Sequence, residues 1–530
     1  MNDGISRRDS LGLLASATAQ PVTRQAPSPL SPTRVSVREF GAKGDGITDD
    51  TAAFQAALDT GHNVLVPAAI RFYRLSRTLA THRSGQSLTG EGYASSLVQQ
   101  GTGSNGTVLA VLHDDCTVSG LRLTPGDGGR PLYEGWGVTV SRTTRCTVRE
   151  CWFESLRRGG VLVHQATECM VRNNRFTSSV VRGNGRIPQS EAGYDVLIAG
   201  QSAHNVVEGN ECVSGCGTGI GCQTVADGEN QTSNVIRGNV VRNHPCYGIM
   251  IYLSGSRGRI DGIVITENSI EEITGSIRTD DRSYFYGAGI YVQTANDFLI
   301  ANNRLRGTNL DRRLPPSGSA VPAAIGISGR GNGTVTGNVI RDCLDGIASI
   351  QATGPVLPGE GTAILGNIIS DCQRIGINLS DCAAATVTGN RLAGTADAAH
   401  GIFVSRAHDA ARLSNFIVSS NCVDRFHVGI EVLGKSIERA VVSGNIITGA
   451  AGYSIACGAT ASIVTGNITD GGHGIALPAT AGYGFCRHNV VKGVKSDIIR
   501  DKESGVNLSE NAIVPAAVPA STAPSIVDRR

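Results

Sequence analysis

The chain has few of the residues that fill large helical cores. Its 530 residues include only 3 Met, 2 Trp and 5% aromatic residues, against 68 Gly. This composition suits a turn-rich fold filled by small aliphatic side chains. No apolar run is long enough to span a bilayer. The formal net charge is +2 and no basic helix or stacking-aromatic motif is present, so no nucleic-acid partner is indicated.

Motifs for metals, nucleotides and serine nucleophiles are also missing. The histidines form no His-x-His or His-Glu pair, and Cys212, Cys216 and Cys222 lack Cys-x-x-Cys spacing, so no transition-metal site is predicted. No phosphate-binding loop follows a strand and no serine elbow occurs. The sequence therefore predicts no cofactor, with calcium left open.

What the chain does contain is a repeated asparagine. Asn445, Asn467, Asn489 and Asn511 recur at one constant short interval, and longer intervals precede them. The pattern hydrophobic-x-x-Asn-x-hydrophobic also surrounds Asn174, Asn210, Asn239, Asn268, Asn303, Asn338, Asn367, Asn390 and Asn421. A repeat this short, built from β-branched residues, suits one coil of a solenoid. We expect each Asn to take a left-handed turn conformation and to bond to the next Asn as a ladder.

A second strand in each coil starts with glycine and alternates apolar residues. Alternation places Ile220, Ile249 and Ile290 inside. It places Gln223, Tyr252 and Gln293 outside in one stack, with Gly221, Met250 and Tyr291 in the stack beside it. Asp195 is expected to face outward beside Gly221. The predicted fold is all-β: one single-stranded, right-handed parallel β-helix, a solenoid whose core grows coil by coil.

The 14 cysteines repeat in the same register. Cys116, Cys146 and Cys169 each lie five residues before a ladder position. Such a register favours buried free thiols that act as small hydrophobes over a disulfide framework.

The two ends read differently from the repeats. Ser6-Arg7-Arg8-Asp9-Ser10-Leu11, a short apolar run and Ala17-Thr18-Ala19 resemble a twin-arginine export signal over residues 1–19. Residues 20–34 read as a proline-rich linker, 35–511 as the β-helix and 512–530 as a disordered tail. A periplasmic or secreted location is expected. The alternative is a fortuitous Arg pair on a cytoplasmic tail.

Residues 37–58, Val-Arg-Glu-Phe-Gly-Ala-Lys-Gly-Asp-Gly-Ile-Thr-Asp-Asp-Thr-Ala-Ala-Phe-Gln-Ala-Ala-Leu, resemble the opening segment of the pectate-lyase-like superfamily. The resemblance implies a strand, a turn and an N-terminal capping helix starting at Thr48 or Asp49, with Phe54, Ala57 and Leu58 on its apolar face. It also implies a carbohydrate ligand. Members include polygalacturonases, pectate lyases, alginate epimerases and phage tailspikes, so it does not fix the reaction.

The signatures of those enzymes are not reproduced. Thr279-Asp280-Asp281 and Gly472-His473-Gly474 resemble polygalacturonase motifs but are separated by many coils. They are too far apart to share a site on a solenoid, where each coil contacts only its neighbours. His473 is instead expected in a turn. The Asp-Pro-His motif of alginate epimerases is absent from the sequence, and the calcium-binding aspartates of pectate lyases have no clear counterpart.

Insertions mark the face where chemistry is expected, because a minimal coil needs only about 22 residues. The longest connections, 175–192, 269–288 and 304–323, leave the same corner. The two neighbouring connections 269–288 and 304–323 would wall a groove with Gln223, Tyr252, Tyr291 and Gln293 as its floor. The residues predicted to bind substrate there also include Tyr286, Arg278, Arg312 and Arg313, and the predicted catalytic residues are Asp280, Asp281, Arg282, Tyr284 and Asp311.

Such a groove suits a polysaccharide or oligosaccharide. Tyrosine stacks on sugars, paired carboxylates serve hydrolysis, and arginine with a tyrosine base serves β-elimination of a uronate. The arginine excess favours an acidic glycan. The sequence thus predicts an exported polysaccharide lyase or glycoside hydrolase. The alternative functions are a non-catalytic glycan-binding or scaffold protein and a uronate epimerase. The alternative for the charged residues is that they belong to an ordinary solvated loop. A homotrimeric assembly is also left open.

Overall fold

The computed structural model describes most of the chain from residue 33 to residue 514. The described residues are 33–99, 107–125, 136–156, 159–177, 186–187, 193–215, 217–224, 226–253, 257–278, 284–285, 287–308, 323–350, 361–380, 382, 384–405, 415–434, 437–478, 481–493, 496–500 and 504–514. One compact unit begins at Arg34. The predicted signal, linker and most of the predicted tail lie outside the described residues.

Each coil contributes three short strands, and stacked coils form three parallel sheets. Sheet 1 contains Leu79–Ala80, Thr107–Val111, Trp136–Ser141, Gly159–His164, Tyr194–Ala199, Thr218–Gln223, Tyr247–Tyr252, His400–Ser405, Val428–Val432, Tyr453–Cys457, His473–Leu477 and Ser496–Arg500. Sheet 2 contains Arg34–Ser36, Asn63–Val66, Ser87–Gly90, Thr117–Ser119, Thr147–Arg149, Met170–Arg172, Val206–Glu208, Val235–Arg237, Val264–Thr266, Gly361–Leu365, Ala385–Thr388, Phe416–Ser419, Arg439–Ser443, Ala461–Thr465, Tyr483–Arg487 and Gly505–Ser509.

Sheet 3 contains Tyr73–Leu75, Ser96–Gln99, Arg122–Pro125, Trp152–Glu154, Arg175–Thr177, Glu211–Val213, Val240–Arg242, Ser269–Glu271, Arg304–Thr308, Arg391–Gly394, Cys422–Asp424, Ile446–Thr448, Ile468–Asp470, Val490–Lys492 and Ala512–Val514. Four longer strands turn a corner. Ala288–Ala301 and Ala323–Thr336 run from sheet 1 into sheet 2, and Val339–Ile350 and Ile368–Ser380 run from sheet 3 into sheet 1. Ser202–Ala203, Asn230–Thr232 and Arg259–Asp261 pair at the corner between sheets 1 and 2.

The interior is a stack of aliphatic side chains, as predicted. Ile220, Ile249 and Ile290 are register partners and are fully buried. Burial of this kind contributes about 1.5–3 kcal/mol for each large aliphatic side chain. Every added coil therefore extends the same core without widening it.

The asparagine ladder is present, and its geometry differs in one respect from the expectation. The Oδ1 atom of Asn303 accepts the backbone N–H and the Nδ2–H of Asn268 at 3.0 and 2.9 Å. The same bonds recur from Asn174 to Asn511. The predicted left-handed conformation of the Asn is wrong, because the preceding residue takes it (φ 62° at Gly238, 59° at Glu267). The side-chain amide is thereby turned inward, where it satisfies backbone groups.

A column of glycines begins the strands of sheet 1 because neighbouring coils approach closely there. A Cβ on Gly248 would lie 2.5 Å from the carbonyl oxygen of Gly289, and one on Gly376 would lie 2.6 Å from that of Gly401. A backbone oxygen cannot yield as a flexible side chain can. The glycine that marks each strand in the sequence thus reflects coil packing.

Helix α1, Thr51–Asp59, covers the N-terminal end of the coil stack after a 3₁₀ turn at Val37–Phe40. Phe54, Ala57 and Leu58 are fully buried, as predicted. The predicted start at Thr48 or Asp49 is two or three residues early. The Asp49 carboxylate accepts the Thr51 N–H at 3.1 Å, whereas the carboxylate of Asp50 accepts the N–H groups of Lys43 and Gly44 and holds the preceding turn.

The predicted thiol stack is confirmed. Cys116, Cys146 and Cys169 are buried and free, and Cys169 Sγ lies 3.4 Å from the Cys146 backbone nitrogen. Burial raises the pKa of the Cys151 and Cys222 thiols to about 12. These cysteines therefore act as small core residues.

The insertions leave the corner between sheet 3 and sheet 1, as predicted. Two of them are joined by a small second sheet, in which Arg186–Ile187 pairs with Ser276–Arg278, and that strand with Tyr284–Phe285. The insertions at 175–192 and 269–288 therefore contact each other beside sheet 1. Among the described residues, no helix is long and apolar enough to cross a membrane.

Candidate functional site on the outer face of sheet 1

The outer face of sheet 1 carries aligned columns of side chains. Gln223, Tyr252 and Gln293 are consecutive register partners, and Gly221, Met250 and Tyr291 form the neighbouring column. Both columns were predicted. Because adjacent strands are about 4.8 Å apart, each column presents one side chain per coil at that spacing.

The middle of this face, termed the aromatic segment, comprises Tyr194, Tyr247, Met250, Tyr252 and Tyr291. The rings of Tyr247 and Tyr291 stack with centroids 5.1 Å apart. The Tyr291 hydroxyl lies 2.7 Å from the Ser328 Oγ atom, and burial raises the pKa of Tyr291. The ring of Tyr291 is thus largely occupied by protein contacts, whereas Tyr252 is half-exposed.

Gln223 is also engaged, since its Oε1 atom accepts a hydrogen bond from the Tyr194 hydroxyl at 3.1 Å. Gln293 is half-exposed in the same column. The predicted floor is therefore assembled as expected, with Tyr252 and Gln293 as its more accessible members. Substrate binding by these four residues stays a prediction.

The predicted walls cannot be placed in the same way. Asp280, Asp281, Arg282, Tyr286, Asp311, Arg312 and Arg313 lie outside the described residues. Arg278 and Tyr284 belong to the strands of the small sheet, and only their backbone is described. The five predicted catalytic residues remain predictions.

Farther along the same face lies a second group of side chains that the sequence reasoning missed. This polar cluster consists of Asp345, Arg374, Asn378, His400, Phe403 and Glu431. Asp345, Ile375 and His400 are successive register partners in one column, and Asn378, Phe403 and Glu431 are successive partners in the next. At about 4.8 Å per coil, His400 lies about 19 Å along the axis from Ala288, which begins the strand that carries Tyr291.

Asp345 and Arg374 form a bidentate pair. Arg374 Nε lies 2.7 Å from one carboxylate oxygen and Nη2 lies 2.5 Å from the other. The Asp345 side chain is fully buried and that of Arg374 is 34% exposed. Burial raises the pKa of Asp345, and the guanidinium acts against this rise. The pair orients one accessible guanidinium edge at the surface.

His400 and Glu431 form a second pair, with His400 Nε2 2.6 Å from Glu431 Oε2. The side chains are 23% and 17% exposed, and the His400 ring packs on Phe403 at 4.6 Å. The His400 Nδ1 atom has no hydrogen-bond partner. Assigning the proton to Nε2, where it bonds the carboxylate, leaves a lone pair on Nδ1, and that atom is buried.

A signal for this cluster was present in the sequence. Extending the column of Gly221, Met250 and Tyr291 through the later glycine-led strands leads to Asn378, Phe403 and Glu431. The long insertions do not mark it. His473, expected in a turn, is the first residue of a strand and packs against Tyr453 at 5.5 Å.

Another imidazole–carboxylate pair lies inside the solenoid. His244 Nε2 is 2.9 Å from Asp195 Oδ2, and the side chains are 0% and 10% exposed. The expectation that Asp195 faces outward beside Gly221 was wrong, because it lies beside Gly219 at the bend where the strand begins. Gly215 makes room for the imidazole, since a Cβ there would overlap His244 Nε2.

No group of three His, Cys, Asp or Glu side chains that suits a metal ion occurs within the described part of the chain. A role for calcium stays a prediction.

The fold is a right-handed parallel β-helix. The family described as "Right handed beta helix region" matches residues 113–305 and 288–469, more than half of the chain. The chain belongs to this family. Its family membership defines the coil architecture, whereas the chemistry depends on the side chains of each face.

Solved structures with similar coils differ widely in their described roles. The chain is similar to the catalytic unit of a GH87 alpha-1,3-glucanase from Streptomyces thermodiastaticus (13% identity, 94% of this chain, 71% of that one, TM-score 0.43). It is also similar to a mannuronan C-5 epimerase module from Azotobacter vinelandii (18% identity, 78% of this chain, 98% of that one, TM-score 0.38).

A third similar structure is the surface adhesin PfbA of Streptococcus pneumoniae (14% identity, 91% of this chain, 93% of that one, TM-score 0.41). At these identities and TM-scores the likenesses carry no argument about activity. A search of curated proteins gives no match.

Proposed function

We propose that this protein binds an acidic polysaccharide along the outer face of sheet 1 and cleaves it by β-elimination. The observation that supports this most is the His400–Glu431 pair. It is an imidazole whose side chain is 23% exposed, with Nε2 bonded to a carboxylate and Nδ1 buried without a partner. Proton abstraction by Nδ1 therefore requires the side chains around it to move aside for the sugar. A carboxylate that fixes the tautomer of a histidine is a common arrangement for a general base.

The surroundings of His400 suit proton abstraction next to a uronate carboxylate. The accessible edge of Arg374 lies one coil away and can pair with an anionic substituent. Hydrolysis would instead need two carboxyl groups flanking the bond. On the described outer face, Asp345 is held by Arg374 and Glu431 by His400, which favours elimination.

Epimerisation shares the abstraction step and is the second candidate. In epimerisation the imidazole removes the C5 proton from one face of the sugar, and a second donor, such as water, delivers a proton to the opposite face. The two outcomes differ in product, because only elimination breaks the chain and forms an unsaturated uronate. The rival from another class is a glycan-binding protein that performs no reaction.

The test compares two separated sets of residues in the purified chain. Acidic and neutral polysaccharides are supplied, and both new reducing ends and ultraviolet absorbance of unsaturated uronates are followed. We expect both signals, and we expect His400→Gln to lower the rate about 10²–10⁴-fold. Glu431→Gln should lower it less, since the imidazole remains.

The matched control is His473→Gln, which changes a histidine of the same column three coils away. Asp280→Asn, Asp281→Asn and Tyr284→Phe test the catalytic residues predicted from the sequence. If those variants lose activity and His400→Gln does not, the chemistry lies in the insertions. Silence with every polysaccharide favours binding alone, and altered uronate stereochemistry without cleavage favours epimerisation.

We further propose that residues 1–19 direct export, which would bring the enzyme to a periplasmic or secreted location. The Arg7-Arg8 pair and the Ala17-Thr18-Ala19 run support this. Arg7→Lys with Arg8→Lys should retain the chain in the cytoplasm, whereas Lys43→Arg, which preserves charge elsewhere, should not. Export of the double variant at the unchanged rate would contradict a twin-arginine signal.

A further inference from the structure

A groove of about 450 Å³ lies at the corner between sheets 1 and 2, beyond the ends of the sheet 1 strands. One column of side chains in it contains Thr167, Ala203 and Thr232, which are successive register partners on three coils. Ala203 carries only a methyl group between the two threonines, so the middle coil forms a notch. The threonines lie about 10 Å apart along the axis, at two coil spacings.

Three amide side chains, those of Gln165, Gln201 and Asn230, line the same groove. Arg142 Nε donates to Gln165 Oε1 at 3.1 Å and so orients that amide. Gly200 makes room for it, since a Cβ there would lie 3.0 Å from Gln165 Cγ. The Gln165 side chain is therefore positioned by its neighbours, and its amide N–H bonds are left for another partner.

Most polar groups of the groove have unused hydrogen-bonding capacity. The buried Ser202 hydroxyl is the exception, because it bonds two backbone groups. Within the described part of the chain, no hydrogen bond engages the side chains of Thr167, Gln201, Asn230 and Thr232. Hydroxyl and amide groups both donate and accept hydrogen bonds. They complement a ligand whose own groups do the same.

The charges around the groove balance one another. None of the described residues that line it is charged. Arg142 and Glu229 flank it, and the next coil carries Arg259 and Asp261, which pair at 3.2 Å. With two cations and two anions nearby, the groove offers an ionic ligand no net attraction. Its polar groups therefore favour a neutral ligand.

The size and pairing of this corner also restrict the ligand. The volume lies within the range of small-molecule sites, about 300–1,000 Å³, whereas a stable protein partner needs about 800 Å² on each side. A peptide could add as a strand only at an open edge. Ser202–Ala203 pairs with Thr167 on one side and with Asn230–Thr232 on the other. The ligand must therefore be held by side chains.

We propose that this corner groove binds a neutral sugar, with a disaccharide spanning Thr167 and Thr232. Sugar hydroxyls donate and accept, as the amides and threonines of the groove do. Each hydrogen bond to the sugar replaces one to water, so we expect a dissociation constant in the millimolar range. Such a site would hold the protein on neutral glycans.

The corner groove is separate from the site proposed for cleavage. Its last coil contains the strand Thr218–Gln223, which precedes the strand of His400 by six coils. That separation is about 29 Å along the axis. The proposal therefore does not depend on the proposed β-elimination.

The experiment titrates the purified full chain with cellobiose, maltose and, as the charged comparison, digalacturonate, and follows binding by saturation-transfer NMR. We expect saturable binding of a neutral disaccharide and weaker binding of digalacturonate in this groove. Gln201→Ala with Asn230→Ala should raise the dissociation constant about tenfold or more, because two hydrogen-bonding groups are lost. Ala203→Leu should weaken binding at least as much, because the larger side chain fills the notch.

The changed residues are exposed or half-exposed, so the thermal midpoint should stay unchanged and shows that each variant is folded. The matched control is Asn507→Ala with Ser509→Ala, two exposed polar residues at the far end of sheet 2, which should leave the affinity unchanged. His400→Gln should leave it unchanged as well, so a failure of the cleavage proposal does not affect this one.

Three results would overturn the proposal. The first is no saturable binding of either neutral disaccharide. The second is an unchanged affinity in both groove variants, which would place the sugar elsewhere. The third is tighter binding of digalacturonate than of the neutral disaccharides together with its loss in the groove variants, which would make this a site for acidic sugars.

Discussion

We expect Asn303→Ala to destabilise the protein by about 2–6 kcal/mol, the sum for two buried polar groups that lose their partners. The substitution removes the Oδ1 atom that accepts the Asn268 backbone N–H at 3.0 Å and the Nδ2–H that donates to the Ile265 carbonyl at 3.0 Å. At least two buried backbone groups therefore lose a side-chain partner. Each unsatisfied buried group costs about 1–3 kcal/mol, which gives the stated range.

The control is Asn511→Ala, at the last position of the ladder. Asn511 accepts the same two bonds from Asn489 but is half-exposed. Water can replace its amide there, so we expect a loss of only about 0.5–1.5 kcal/mol, the net value of an ordinary hydrogen bond. The contrast between the two sites isolates the cost of burial.

The assay is urea denaturation combined with hydrogen exchange. The midpoint should fall much further for Asn303→Ala at an unchanged slope, and exchange of the Asn268 amide should accelerate selectively. Equal losses at the two positions would refute the reasoning. They would mean that the ladder amides merely fill space.

Three further outcomes are expected. Gly248→Ala should cost about 1–3 kcal/mol in the same denaturation assay, because the new Cβ would lie 2.5 Å from the Gly289 carbonyl oxygen; a neutral result would contradict the close approach of the coils. Arg374→Ala should cost about 3 kcal/mol at pH 7, at the low end for a buried pair because Arg374 is partly exposed. The pKa of Asp345 is already raised, so in the folded Arg374→Ala variant the Asp345 carboxyl holds its proton more strongly than it does in the unfolded chain. The loss of stability caused by Arg374→Ala should therefore become smaller as pH falls. Alkylation of the folded protein followed by peptide mapping should modify Cys422 first among the described cysteines, because it alone of them is exposed; equal labelling of the others would show that the core opens.

The architecture was readable from the sequence because its causes are local and repeated. The ladder asparagine, the starting glycine and the alternation that buries Ile249 recur in most coils, and each repetition reinforces the same register. The conformation of the asparagine was misread because φ depends on the neighbouring residue, and the turn is made by the residue before it. The start of α1 was misplaced for a similar reason, since Asp50 holds a turn instead of the helix.

The candidate site was harder to predict because it depends on side chains far apart in the sequence. His400 and Glu431 come into contact because their strands are neighbours in the sheet. The sequence of neither strand alone indicates this contact. Following the outward columns beyond the insertions would have led to Asn378, Phe403 and Glu431. It would not have shown that Arg374 reaches Asp345, since that contact depends on the path of its side chain.

The ladder has a consequence for how such a molecule can change over evolutionary time. Because the amide bonds hold the coils from Asn174 to Asn511 at the same pitch, side chains on the outer face of sheet 1 repeat at a constant spacing of about 4.8 Å. Gain or loss of a single coil between Tyr291 and His400 would change the axial distance between them by one coil spacing and leave the residues around each of them unchanged. The distance between two contact points for a long ligand can therefore be adjusted in whole steps, without redesigning either point.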